Sequence, residues 1–175
     1  MHFYKTIFVL LIMFTNSKLF SYEEGIALNG DLEIYYRDYG PKDAEPILLV
    51  QGIGGQLINW PEHLIDFLLE NNFRPIVYDN RDTGLSSRIP SDSFSDAKRD
   101  NTIVKNYIRY YLRLPIKSDY TLDDMAVDGI SVLDKLDISE AHILGVSMGG
   151  MIAQIIVSSY PERTKTFTLI SSTAS

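Results

Sequence analysis

From residue 22 onward the apolar positions fall into two alternating patterns: short unbroken runs, and stretches where they recur every three or four residues. The first pattern reads as buried strand and the second as amphipathic helix. Residues 25–28 and 34–39 flank the turn Asn29-Gly30-Asp31 and predict a hairpin, since Asn-Gly favours the left-handed turn conformations that hairpins use. Pro46 opens the run 47–50 (Ile-Leu-Leu-Val), which fits a strand covered on both faces. Asn59 is placed to cap a helix, with Pro61 in its first turn and Leu64, Phe67 and Leu68 on its apolar side. Residues 75–78 predict the next strand, stopped by Asp79-Asn80-Arg81-Asp82.

The polar stretch 83–100 is too long for a plain connection and reads as a flexible loop or a functional cover. Ile103, Tyr107, Tyr110, Tyr111 and Leu114 form a helical stripe ended by Pro115. Thr121, with Asp124 three residues on, caps a further helix whose apolar side is Leu122, Ala126, Ile130, Leu133 and Leu136. Then come a strand at 143–146, a helix from Met148 to Tyr160 stopped by Pro161, and a last strand at 167–170. This alternation predicts an α/β fold, a mostly parallel sheet flanked by helices. In such sheets ligands bind beyond the carboxyl ends of the strands, here residues 52–55, 79–86 and 145–150.

Residues 1–21 stand apart. Lys5 precedes the apolar run 6–14, and Thr15, Asn16, Ser17 and Ser21 follow. These are the parts of a secretory signal peptide. The run is too short for a ~30 Å hydrocarbon core, which takes about 20 helical residues. The expectation is export to the periplasm or beyond the cell, with residues 22–175 as the mature part and membrane contact only through the signal segment. An uncleaved anchor and a buried strand are the alternatives.

Composition narrows the partners. Sixteen Lys and Arg stand against 23 Asp and Glu, a net charge of −7. Nucleic-acid binding, which needs a basic face, is not expected. No cysteine is present, so disulfides, thiolate metal sites and a cysteine nucleophile are ruled out. No metal and no cofactor is expected.

The chemistry concentrates at Gly145-Val146-Ser147-Met148-Gly149, a G-x-S-x-G between a predicted strand and a predicted helix. A sharp turn there holds the serine in a strained conformation with its hydroxyl above the sheet. Gly145 and Gly149 flank the turn where Cβ atoms would collide, and Gly150 relieves close packing of the helix. The helix N-terminus favours negative charge on a reacting oxygen, and the N–H of Met148 is the expected oxyanion donor. Gln51-Gly52-Ile53-Gly54-Gly55 is a second glycine-rich turn after a strand. It can aim a backbone N–H, that of Ile53, at the same oxyanion, with Gly52 and Gly54 on the substrate side. It is not a phosphate loop, because neither G-x-G-x-x-G nor Gly-Lys-Ser/Thr is present.

On these residues, in this order along the chain and together with 79–86 (Asp-Asn-Arg-Asp-Thr-Gly-Leu-Ser), residues 23–175 resemble the α/β-hydrolase superfamily, in the branch of esterases typified by aclacinomycin methylesterase. The resemblance implies the α/β-hydrolase fold, a serine nucleophile at Ser147 and a small-molecule ester as substrate. Gln51 departs from the superfamily's usual histidine, but the donor beside it is a backbone N–H. The resemblance also implies that Asp79, Arg81 and Asp82 shape the rim of the site as structural groups.

A serine needs a base to take its proton and a carboxylate to orient that base. In this fold both follow the serine in the chain. After Ser147 stand one acid, Glu162, and no histidine. His2 lies in the signal segment, His63 in the first turn of a helix, and His142 before its strand, at the end of the sheet away from Ser147. Three readings follow: an ester hydrolase, a domain truncated after about the sixth strand and inactive alone, and a binding domain that reuses the pocket. Haloperoxidase-like and carbon–carbon bond hydrolases share the serine. The missing base favours the second reading, with an exposed sheet edge at the last strand.

Overall fold

The computed structural model describes residues 21–89 and 118–173. The expected signal segment (but for Ser21), most of the polar stretch and the stripe 103–114 lie outside these residues. β1 (Tyr22–Asn29) and β2 (Leu32–Tyr39) form the hairpin about Gly30. Then come β3 (Glu45–Val50), α1 (Glu62–Glu70) and β4 (Phe73–Tyr78). The described chain resumes with α2 (Leu122–Lys135), β5 (Ala141–Val146), α3 (Met148–Ser159) and β6 (Thr164–Ile170). The strands lie in the order β1-β2-β4-β3-β5-β6. β1, β2 and β4 pair antiparallel, whereas β4, β3, β5 and β6 run parallel.

Alternation along β3 divides the core. Leu48 and Val50 face α2 and α3, where they meet Ile76, Tyr78, Ala126, Leu133, Ile152 and Ile156. Ile47 and Leu49 face α1, beside Val77, Leu57, Trp60, Ile65 and Leu68. Both faces are therefore covered, as an uninterrupted apolar run requires.

Three expectations need correction. Asn59 does not cap α1: it ends a short 3-10 turn (Leu57–Asn59), and its Oδ1 accepts from the Gln56 N–H at 2.7 Å. Pro61 occupies the capping position, in extended conformation with no side-chain bond. The buried face of α1 is Ile65 and Leu68, while Phe67 is 58% exposed. The buried stripe of α2 is centred on Met125, Ala126, Gly129, Ile130 and Leu133, with Asp128 buried among them, and Leu122 and Leu136 are only partly covered. Its cap is as expected, for Thr121 and Asp124 bond reciprocally. β6 is an edge strand among those described, and Phe167, Leu169 and Ile170 on it are 45%, 37% and 42% exposed.

Candidate active site

The carboxyl end of β5 turns directly into α3, and Ser147 is the residue at the corner. It has φ 53° and ψ −122°, a left-handed-side conformation that a residue with a Cβ rarely takes. The turn is tight because its neighbours touch backbone to backbone. A Cβ on Gly145 would stand 2.2 Å from the Gly149 carbonyl oxygen, and one on Gly149 would stand 2.1 Å from that of Val50. No side chain fits at either position. A Cβ on Gly150 would meet Ser172 Cβ and Oγ at 2.4 Å, so this glycine admits the chain that follows β6. The Ser147 N–H donates to the Ile170 carbonyl at 2.9 Å, tying the corner to the end of β6. Ser147 itself is exposed, and Met148 opens α3 half-buried.

The loop after β3 lies against this corner. A Cβ on Gly52 would approach Ser147 Cβ to 3.1 Å and its Oγ to 3.6 Å. The Gly55 N–H closes the loop onto the Gly52 carbonyl at 3.1 Å, and Gly54 has φ 69° with open space about it. The Ile53 side chain is 83% exposed. Among the described residues neither the Ile53 nor the Met148 N–H finds a backbone acceptor in a turn or cap. Gly52 thus lies against Ser147, Ile53 and Met148 are the residues that follow these two in the chain, and Gly54 stands one residue further out.

The turn after β4 braces the loop. Asp79 Oδ1 accepts from the Leu57 N–H at 2.7 Å and Oδ2 from the Leu85 N–H at 2.9 Å. Gly84, at φ 54°, makes room for that carboxylate, since a Cβ there would stand 2.0 Å from Asp79 Oδ2. Asn80 Nδ2 donates to the Gln51 carbonyl at 3.1 Å. Ser86 Oγ donates to the Asp79 carbonyl at 2.6 Å and accepts from the Tyr35 N–H at 2.9 Å, fastening the turn to β2. Arg81 points away from the site, into a bidentate pair with Asp128 at 2.6 and 2.7 Å, and Asn29 also bonds that carboxylate. The pair raises the Arg81 pKa still further, chiefly through the hydrogen bonds that its guanidinium donates to Asp128. Asp82 Oδ1 accepts from the Ile89 N–H at 2.7 Å.

No histidine among the described residues reaches Ser147. His63 is exposed on α1. His142 sits at the amino end of β5, where Nδ1 meets Thr166 Oγ1 at 2.7 Å and Nε2 lies 3.8 Å from Glu45 Oε2. Glu162 lies in the turn before β6, at that same far end. Among the described residues no group of three or more His, Asp or Glu could hold a metal.

The sequence reading missed Asn80 and Asp128 as structural partners. An acid on the apolar side of α2 was the available signal for Asp128. Asn80 gave none beyond its place after a strand.

Residues 45–175 match the family model described as the alpha/beta hydrolase fold, and the chain belongs to that family. It is 30% identical over 158 residues to rhodomycin D methylesterase DnrP of Streptomyces peucetius, covering 90% of this chain and 41% of that protein. It is 32% identical over 130 residues to rhodomycin D methylesterase DauP of Streptomyces sp. strain C5, covering 74% of this chain and 35% of that one. The chain thus spans well under half the length of these relatives. Among solved structures, Est816, described as an N-acyl homoserine lactone degrading enzyme, superposes with a TM-score of 0.63 at 24% identity. That match covers 85% of this chain and 45% of the other, and it supports the fold.

Proposed function

We propose that the chain carries the nucleophile and oxyanion hole of a serine hydrolase acting on small carboxylic esters. Ser147 Oγ attacks the ester carbonyl, the carbonyl carbon becomes tetrahedral, and the N–H groups of Met148 and Ile53 receive its oxygen. The alcohol leaves and an acyl-serine remains for water to hydrolyse. The observation that carries this reading is the exposed, positive-φ Ser147 at the head of α3 with the Gly52 loop pressed against it. The methylesterase names of the relatives support the ester class. Among the described residues neither His63, His142 nor Glu162 stands beside Ser147 to act as base or orienting acid, and on that ground we propose that residues 1–175 alone do not turn substrate over.

Two measurements test this. Hydrolysis of p-nitrophenyl acetate by the 175-residue chain should equal that of its Ser147→Ala variant, and turnover that this variant abolishes overturns the claim of inactivity. At pH 9, where hydroxide supplies the base, a fluorophosphonate should add once, at Ser147, as read by intact mass and peptide mapping. An oxyanion hole and binding alone retain roughly 10³–10⁴-fold catalysis when triad residues are removed, which makes such labelling measurable. Equal labelling of Ser147→Ala overturns the nucleophile.

A further inference from the structure

We infer that Asn80 is a positioning residue for the oxyanion hole, acting through the Gln51 carbonyl; the inference rests on the assignment of Ser147 and Ile53 above. Asn80 is 2% exposed at the carboxyl end of β4, the strand beside β3. Its Nδ2 donates to the Gln51 carbonyl at 3.1 Å, while its Oδ1 is buried with no hydrogen-bond partner among the described residues. A buried amide placed only for stability would satisfy both ends, because an orphaned buried carbonyl is costly. Here one end is left unpaired and the other is held on a single carbonyl.

That carbonyl sits at the pivot of the site. A Cβ on Gly149, two residues after the nucleophile, would stand 2.6 Å from the Gln51 oxygen, so this oxygen is wedged between Asn80 and the first turn of α3. Its direction sets the plane of the Gln51–Gly52 peptide, from which the chain continues to the Ile53 N–H. Four residues beyond, Asp79 Oδ1 holds the Leu57 N–H at 2.7 Å and fixes the other end of the loop. Asp79 anchors where the loop leaves the site, and Asn80 sets how its peptides face Ser147. Gln51 folds its own side chain back over Gly55, where a Cβ would meet Oε1 at 2.7 Å, and the Asn80 bond is the side-chain hydrogen bond on its main-chain oxygen among the described residues.

The test compares the wild-type chain with Asn80→Leu, of similar volume and without a donor, and with Asn80→Asp, which at pH 9 presents carboxylate oxygens to the carbonyl. Fluorophosphonate labelling of Ser147 at pH 9 should slow at least tenfold in both, with the melting temperature of one or the other within a few degrees of wild type. In amide NMR spectra the Gly52 and Ile53 resonances should move, while that of Leu57, held by Asp79, stays in place. Unchanged labelling with unmoved Gly52 and Ile53 resonances overturns the inference. Labelling that falls only in step with thermal stability, with shifts spread across the core, does so too. If the wild type is not labelled at Ser147, the nucleophile assignment fails, and the Gly52 and Ile53 resonances alone then decide whether Asn80 orients the loop.

Discussion

Replacing Ser147 with glycine should make the protein more stable, although it deletes the proposed nucleophile. At φ 53° and ψ −122° the residue carries a backbone conformation open mainly to glycine. Such strain costs about 1–3 kcal/mol at a residue with a Cβ. Nothing in the fold is lost with the side chain, for Ser147 is exposed and makes no capping bond to α3. Glycine adds freedom to the unfolded chain, a loss of about 0.5–1 kcal/mol. The net gain is then up to about 2.5 kcal/mol, or up to roughly 10 °C in melting temperature for a domain of this size. Ser147→Ala is the control, since alanine keeps the Cβ and therefore the strain while also lacking the hydroxyl. Urea denaturation of the three proteins, followed by far-ultraviolet circular dichroism, should place the glycine variant above an alanine variant that resembles wild type. A glycine variant no more stable than the alanine variant would refute strain storage at the corner.

Two further outcomes concern buried charge. Asp128→Ala leaves the Arg81 guanidinium, 6% exposed, without its bidentate partner and should cost about 3–5 kcal/mol in urea unfolding. The double variant Arg81→Met/Asp128→Leu should recover most of that loss; a double variant as unstable as the single one would count against an unpaired charge as the cause. Burial alone would raise the Asp38 pKa, but hydrogen bonds from Arg74 and Lys42 outweigh it and hold the carboxyl below the ordinary range. Because the folded value lies below the unfolded one, this contribution is complete above about pH 4 and disappears as pH falls through the folded value. The gap in urea midpoint between wild type and Asp38→Asn should therefore be open at pH 6 and close on the acid side of pH 4; a gap independent of pH contradicts the assignment.

What the sequence disclosed and what it hid differ in physical kind. The tight corner at Ser147 was legible because steric exclusion writes itself locally: a Cβ built on Gly145 or Gly149 would stand 2.2 or 2.1 Å from a backbone oxygen. The central strand β3 was legible because burial on both faces demands an unbroken apolar run. The start of α1 was misread because Asn59 spends its side chain on Gln56, three residues back, a choice that periodicity does not record. Phe67 looked like core and is exposed because Ile65 and Leu68 define the inward face of α1. β6 is apolar and exposed together, for an apolar run shows that a strand can be covered and not that anything lies over it. Least legible were the polar ties: Asn80 to Gln51 and Arg81 to Asp128 join residues 29 and 47 positions apart, and no local pattern links such pairs.

Sheet order explains why those ties matter to the site. β4, β3 and β5 are consecutive neighbours, so their carboxyl ends lie in a row. The last contributes Ser147, the middle one the loop with the Ile53 N–H, and the first the side chains of Asp79 and Asn80. Neither proposed oxyanion donor is a side chain, so neither can be aimed by choosing a rotamer. A backbone N–H is aimed only by fixing the peptides around it, and the Gln51 carbonyl is gripped from both sides, by Asn80 after β4 and by the close approach of Gly149 in the first turn of α3. That arrangement also explains how Gln51 can stand where the superfamily's usual histidine would be: the geometry depends on its main-chain oxygen, which every residue type supplies. The proposed reactive geometry thus resides in main-chain direction, and the specificity of the sequence lies in the small set of glycines and buried polar groups that hold the main chain there.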